Sequence, residues 1–261
     1  MNIPPMQGIS SQSEFFIYTA ADTVYFDLFA RPLIYSILKN APDFGIHIHI
    51  YNPLPDQLTF CKKSNVSCTY ETLNHSEFKD VRNYWSKKNM YSNRRQKKMY
   101  QREKTFGYDE FNRLIRQTYY ACARFVRLAE ILSKGQRCIA LDVDSLVLGP
   151  FNHQLGDFDI YLHVDPEDKE HYGSAILFNG TVASDNFLKE YADVLKSSIN
   201  CDDFYWFLDQ IALEQIVPKY KTGQLSRGYL DWEMLPDSPI WSAKGARKEL
   251  EIFKQEQRKY T

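Results

Sequence analysis

The stretch that most constrains this chain is Cys138-Ile139-Ala140-Leu141-Asp142-Val143-Asp144-Ser145-Leu146-Val147-Leu148. Apolar residues run up to two carboxylates and resume after them. Such a run reads as a buried strand, and on a strand side chains two apart point to the same side. Asp142 and Asp144 are therefore expected together, at the end of an otherwise buried strand. Carboxylates that close repel one another unless a proton or a cation lies between them. A hard divalent cation bridging to phosphate oxygens would meet that need. Two ordinary carboxylates capping the next turn are the competing explanation, and the pair alone does not choose.

The flanking segments read as alternating strands and helices. Glu14–Ala20 (EFFIYTA) is a first strand, followed directly by Ala20-Ala21-Asp22. In a doubly wound sheet the carboxyl end of that strand is where a nucleotide binds. The run from Val24 to Pro42 has helical spacing, with Leu33, Ile34, Ile37 and Leu38 on one face. Gly45–Tyr51 alternates as a strand, with His47 and His49 on one side, and these are expected to face solvent or a helix rather than to hold a metal. Val66–Tyr70 is a further short strand. Phe111–Ser133 is the best helix, with apolar positions 111, 114, 115, 118, 122, 125, 126, 129 and 132. Arg116, Tyr120, Arg124 and Arg127 are expected on another face, and Arg124 within reach of a ligand at the two carboxylates.

A strand follows Gly149-Pro150, and Asp157-Phe158-Asp159 at its start reads as a cap or turn. Tyr172-Gly173-Ser174 places small residues before another strand, where a ligand can approach the backbone. Helices are expected from Ser184 to Ser197 and from Phe204 to Val217, the latter carrying Asp209-Gln210 in an apolar surround. Lys244-Gly245-Ala246-Arg247-Lys248 precedes a polar helix, and a glycine among cations at a helix N-terminus suits a diphosphate.

Composition narrows the class. At 261 residues with 44% hydrophobic content, the chain fits a globular α/β protein. A net charge of -1 names no partner, but residues 82–104 hold nine Lys or Arg against Glu103 alone, and interleave them with Tyr, Trp and Met. That stretch suits an acidic surface, a solvated helix or a lid. It carries no recognisable nucleic-acid motif, so no specific nucleic-acid partner is expected. Cysteines 61, 68, 122, 138 and 201 lack metal spacing and read as reduced thiols, which points to a cytoplasmic setting. No signal peptide and no membrane span are expected.

Taken in order, these motifs resemble nucleotide-sugar glycosyltransferases of the GT-A type, in particular the retaining group that includes glycogenin and the bacterial lipooligosaccharide galactosyltransferases. The resemblance runs from about residue 14 to residue 250. It implies one GT-A domain over residues 1–261: a Rossmann-like, mostly parallel sheet flanked by helices. The nucleotide-binding half would span about 14–148, the sugar and acceptor half about 149–250, and a C-terminal helix 246–260. Thr19, Ala20, Ala21 and Asp22 resemble the segment that holds uracil and ribose, and Arg124 the arginine that contacts diphosphate and sugar. Asp142-Val143-Asp144 resembles the metal-binding Asp-x-Asp, which implies Mn²⁺ or Mg²⁺. Gly173 and Ser174 resemble the strand beside the donor sugar, and Asp209-Gln210 the pair at the reacting sugar. Lys244, Gly245 and Lys248 fall in a His-x-x-Gly-x-x-Lys pattern. In this chain Ser242 replaces the His that is the metal's third ligand, and a hydroxyl is a weak ligand for such a cation.

The resemblance implies transfer of a hexose from a UDP-sugar, glucose before galactose, to a glycan, lipid or small-molecule acceptor, with retention. Asp144, Asp209 and Gln210 would carry the chemistry; an inverting reaction would need a carboxylate base such as Asp165 or Asp209. A nucleotidyltransferase is the rival enzyme, but YTAADTVY has no glycine-rich loop. A nucleic-acid-binding module built on residues 82–104 leaves the Asp-x-Asp and Lys-Gly-x-Arg-Lys motifs unexplained.

Overall fold

The structure is a computed structural model that describes residues 3–74, 108–150, 156–164, 169–200 and 207–261. The basic stretch 82–104, Asp165, residues 204–206 of the expected Phe204–Val217 helix, and the side chains at stripe positions 111 and 114 lie outside the described residues. In chain order the main elements are β1 (Gln7–Gly8), β2 (Phe15–Asp22), α1 (Arg31–Asn40), β3 (Gly45–Tyr51), α2 (Pro55–Lys63), β4 (Ser67–Glu71) and α3 (Tyr108–Ile131). After these come β5 (Arg137–Leu141), β6 (Ser145–Val147), β7 (Ile160–Val164), β8 (His171–Phe178), α4 (Val182–Asn200), α5 (Leu208–Ile216), β9 (Thr222–Gln224), β10 (Ile240–Ser242) and α6 (Glu251–Gln257).

Eight strands form one sheet in the order β1-β4-β3-β2-β5-β8-β7-β9, most of its pairs parallel, with helices on both faces. This is the expected α/β architecture. The strands at its centre are mostly apolar because both faces are covered, with Thr19, His47 and His49 among the buried polar exceptions. In β2, Phe16 and Tyr18 join a core with α3, α4 and α5, whereas Ile17 and Ala21 join the core on the opposite face with α1. The same alternation divides Cys138 and Ala140 of β5 from Ile139 and Leu141.

The chain runs outward from β2 to β3 and β4, then returns through α3 to β5 on the other side of β2. β2 and β5 are parallel and in register from Phe15↔Arg137 to Tyr18↔Ala140, so their carboxyl ends lie at one edge. A reversal of strand order there opens a crevice at that edge. Thr19 tightens the join, its hydroxyl donating to the Leu141 carbonyl at 3.0 Å.

Several expectations change. Strand β5 stops at Leu141, and residues 142–144 turn into β6, which leaves the main sheet to pair antiparallel with β10. Asp142 and Asp144 therefore flank a turn rather than share a continuous strand. Leu38 is 42% exposed instead of lying with Leu33, Ile34 and Ile37 in the core. Helix α5 begins at Leu208, because Phe207 takes a left-handed conformation (φ 68°) that no helix interior continues. The C-terminal segment is a 3₁₀ turn over Gly245–Glu249, an extended Leu250, then α6. Gly245 (φ 68°) sits in a bent loop, not at the start of an α-helix.

Arg127 does not join Arg124 on one face. It is 2% exposed, its Nε donates to Glu71 at 2.6 Å, and Tyr119 donates to the same carboxylate at 2.6 Å. His47 and His49 are buried against Thr69, at 2.9 Å and 3.0 Å, and bind no cluster of metal ligands among the described residues. Burial drives His47 down to about 3 from its ordinary 6.5, with the neighbouring His49 adding to the effect. His49 is also lowered by burial, opposed by Glu71. The sign follows. Below about pH 6.5 the unfolded chain takes up a proton that native His47 refuses, so stability falls as pH falls toward 3. Denaturant titration should lose about 2 kcal/mol between about pH 7.5 and about pH 5 for this group alone, and His47→Gln should flatten the loss.

Candidate active site

A cleft of about 610 Å³ opens at the carboxyl ends of β2 and β5. The first strand contributes Ala20, Ala21 and Asp22, whose small side chains leave room beside the backbone. Asp22 also caps the following helical turn, its Oδ1 accepting from the Tyr25 N–H at 2.8 Å. The 142–144 turn contributes Asp142, Val143 and Asp144, and Ser174 of β8 lies beside them.

Arg124 of α3 ties this end of the molecule together. It pairs with the Asp142 carboxylate, donates from Nη2 to the Gly173 carbonyl at 2.9 Å, and lies 3.7 Å from the Asp209 carboxylate. The absence of a side chain at Gly173 makes the approach possible. A Cβ there would stand 3.3 Å from Arg124 Nη2 and 3.5 Å from Asp209 Oδ2. Burial pushes Asp142 up, but Arg124 outweighs it and holds the carboxyl below its ordinary range. Asp144 and Asp209 are both raised, first by burial and then by the charge of Asp142, against Lys248 and Arg124 respectively.

The C-terminal loop closes the other wall. Lys248 Nζ is 2.7 Å from Asp144 Oδ2 and donates to the Tyr25 hydroxyl at 3.1 Å. Lys244 and Gly245 also line the cleft, as do Asp209 and Gln210 from the first turn of α5. Three sequence-predicted residues stand outside it. Thr19 and Gly173 act on the frame, as described. Ser242 is fully buried in β10 opposite Ser145, and its hydroxyl has no hydrogen-bond partner among the described residues. The β6–β10 ribbon carries Ser242 behind the cleft wall, while the next residue, Ala243, donates its N–H to the Asp144 carbonyl at 2.8 Å.

The donor set fits a hard cation in its chemistry: two oxygen-donating carboxylates at one mouth, with Asp144 pushed up by its neighbour's charge. It falls short of a closed site, since no cluster of three His, Cys, Asp or Glu residues is found among the described residues. Asp142 and Asp144 are the side chains that would hold a metal, with weaker support than a third ligand would give.

Other lining residues escaped the motif reading. Gln117 and Ala121 of α3 line the cleft beside Arg124 and the expected Tyr120, and Tyr25 and Phe207 line it as well. Positions 117, 120, 121 and 124 recur at helical spacing, so the face of Arg124 was itself the signal. Glu214, without an assigned part in the motif, accepts from the His171 backbone N–H at 2.6 Å and tethers α5 to β8.

This arrangement is a GT-A-type fold with a polar cleft at its switch point. Solved structures share it across most of the chain. The galactosyltransferase LgtC in complex with donor and acceptor sugar analogs superposes with a TM-score of 0.56 at 12% identity, over 93% of this chain and 95% of that one. The apo glycosyltransferase GlyE of Streptococcus pneumoniae gives a TM-score of 0.55 at 11% identity, over 93% of this chain and 60% of that one. The bifunctional glycosyltransferase WbbM gives 0.54 at 13%, over 94% and 48%. No family model matches the chain, and no curated protein matches it in sequence.

Arg124→Met leaves the half-buried Asp142 and the buried Asp209 without their shared cation, and is expected to cost about 3 kcal/mol in urea denaturation. Lys248→Met strands the buried Asp144 carboxylate in the same way, and is expected to cost a similar amount, about 3 kcal/mol.

Proposed function

We propose that this protein is a glycosyltransferase that moves a hexose from a UDP-sugar to a hydroxyl acceptor with retention of anomeric configuration. The supporting observation is convergence. The carboxyl end of β2, the Asp142–Asp144 turn, Arg124, Asp209-Gln210 and Lys244/Lys248 come from five separate regions of sequence and line one cleft. UDP-glucose is the first choice of donor and UDP-galactose the second. The fold likeness to a galactosyltransferase is consistent with either hexose.

The bond to break joins the anomeric carbon to the diphosphate, so negative charge grows on the leaving UDP. Lys248 and Lys244 bring fixed positive charge to the cleft, where preorganised charge stabilises the leaving group. Mn²⁺ or Mg²⁺, held by Asp142 and Asp144, would supply further charge neutralisation when bound. Arg124 lies between Asp142 and Asp209 and offsets the repulsion of the two carboxylates at the cleft. In the retaining reaction the acceptor approaches the face that the diphosphate leaves. The leaving phosphate oxygen can take the acceptor's proton, so no strong side-chain base is required. Gln210 would place its amide oxygen against the developing oxocarbenium charge, and Asp209 would hold sugar hydroxyls. The single-domain organisation, with nucleotide and sugar halves meeting at this cleft, belongs to the same reading.

A thermal-shift screen of nucleotides and nucleotide sugars, with and without Mn²⁺, tests the donor. UDP-hexoses should raise the melting point, since a ligand at about a hundred times its Kd stabilises by about 2.7 kcal/mol. Equal shifts with ATP or CTP and none with UDP compounds would overturn the donor assignment. Donor hydrolysis followed by NMR should release the α-anomer first from an α-linked donor. Asp144→Ala and Gln210→Ala should each lower the rate at least about a hundredfold while circular dichroism still reports the folded protein. Full activity of Asp144→Ala at saturating donor would remove these carboxylates from the mechanism.

A further inference from the structure

Lys244 and Lys248 of the C-terminal loop are half-buried, while Arg247 is exposed. Each lies over an aromatic ring. Lys244 Nζ is 4.1 Å from the Tyr172 ring centroid and 5.1 Å from that of Trp232, and the Arg247 guanidinium is 5.8 Å from Trp232 on the same loop. Lys248 Nζ lies 4.7 Å from Tyr25 and 5.5 Å from Phe29. Tyr172 and Trp232 meet edge to face, with centroids 5.0 Å apart at 86°, and His163 packs 5.3 Å from Trp232. Together they make a rigid corner for the Lys244 ammonium.

Trp232 reaches this corner through a folded loop. Asp231 is fully buried and its carboxylate accepts from the Glu233 N–H at 2.8 Å and the Leu235 N–H at 2.7 Å. The Ser242 N–H donates to the Asp231 carbonyl at 2.9 Å, which fixes the residue before Trp232 against β10, two residues from Lys244. The indole Nε1 is buried without a hydrogen-bond partner among the described residues. A tryptophan that leaves its N–H unmatched is kept for its ring face, not for its polar handle.

Resting on the glycosyltransferase reading, we propose that Trp232, with Tyr172, is a positioning residue: its ring holds the Lys244 ammonium at the cleft, preset for the donor's diphosphate. A lysine side chain loses substantial rotamer freedom when it is fixed on a ligand. A ring that restricts it beforehand lowers that cost, which is the general route by which preorganisation raises affinity. Lys244 lines the cleft together with Asp142, Asp209 and Gln210, so the held position is one from which it faces the reacting end of the cleft. A diphosphate oxygen offers Lys244 a stronger, charge-assisted bond than the ring face. The rings therefore guide the ammonium without withholding it.

The test is a double-mutant cycle with UDP as the probe, read by calorimetry on the full chain. Lys244→Met and Trp232→Leu should each weaken UDP binding about tenfold, equivalent to about 1.4 kcal/mol. The double variant should bind no worse than Lys244→Met alone, because Trp232 acts through Lys244. Trp232→Phe keeps a ring face and should bind within about threefold of wild type. A purely structural tryptophan would instead give additive losses, unrelated to whether a ring is retained. Wild-type affinity in Trp232→Leu, or additivity with Lys244→Met, overturns the proposal even if Trp232→Leu folds poorly, since Trp232→Phe and the Lys244→Met background are read independently. Failure of UDP to bind the wild-type protein overturns the donor assignment and this proposal together, whereas UDP binding insensitive to Trp232 overturns this proposal alone.

Discussion

The cleft depends on a single guanidinium. Arg124 joins α3 to the Asp142 turn, to the backbone of β8 at Gly173 and to Asp209 at the start of α5. Without it, two carboxylates would face each other across a gap from which most water is excluded, and one would have to protonate or move away. With it, carboxylates from distant points in the chain hold fixed positions at one edge of the sheet. Gly173 is the counterpart of this interaction, because a Cβ there would stand 3.3 Å from Arg124 Nη2 and the guanidinium would have to give by a few tenths of an ångström.

The sheet explains why this edge was available. Parallel strands β2 and β5 end side by side, and the chain leaves them in opposite directions across the sheet. The crevice left between those departures is the one place where backbone, helix face and loop can all reach a common ligand. The departure of β6 from the main sheet gives the site its shape. By pairing with β10 instead, it brings the Lys244–Lys248 loop against Asp144, and it carries Ser242 behind the wall. The loop's cations are then supported by rings from three different segments rather than by the start of an α-helix.

A second buried charge network stands apart from the cleft, where Arg127, Glu71, Tyr119 and His49 join α3 to β3 and β4. Arg124 and Arg127 are one turn apart on the same helix, yet one lines the cleft and the other fastens the helix to the sheet. Spacing alone puts both on a polar arc. Only the partner strands decide that Glu71 takes Arg127 and Asp142 takes Arg124, because each guanidinium goes where a carboxylate withdrawn from water needs a cation.

The alternation of the main strands and helices, the burial of β5, and the placing of Tyr120 and Arg124 on one helical face were legible because they are local: they follow from period-two and 3.6-residue repeats of apolar side chains, whereas α2 and the short strands β1, β6, β9 and β10 carry too few residues to show such a repeat. The Asp142-x-Asp144 motif was equally plain as a pair of residues, and the resemblance set it beside Arg124, Asp209 and the lysine loop. The sequence could not say that the two aspartates flank a turn, that Ser242 faces away from the cleft, or that Trp232 lies beneath Lys244. Each of these depends on β6 pairing with β10 across a separation of about ninety residues, an arrangement that no local pattern encodes. What the sequence determined by itself was which side chains could do the chemistry and which faces they occupy. Tertiary structure alone decided which of them meet, because a buried charge or ring is placed by its partner and not by its neighbours in the chain.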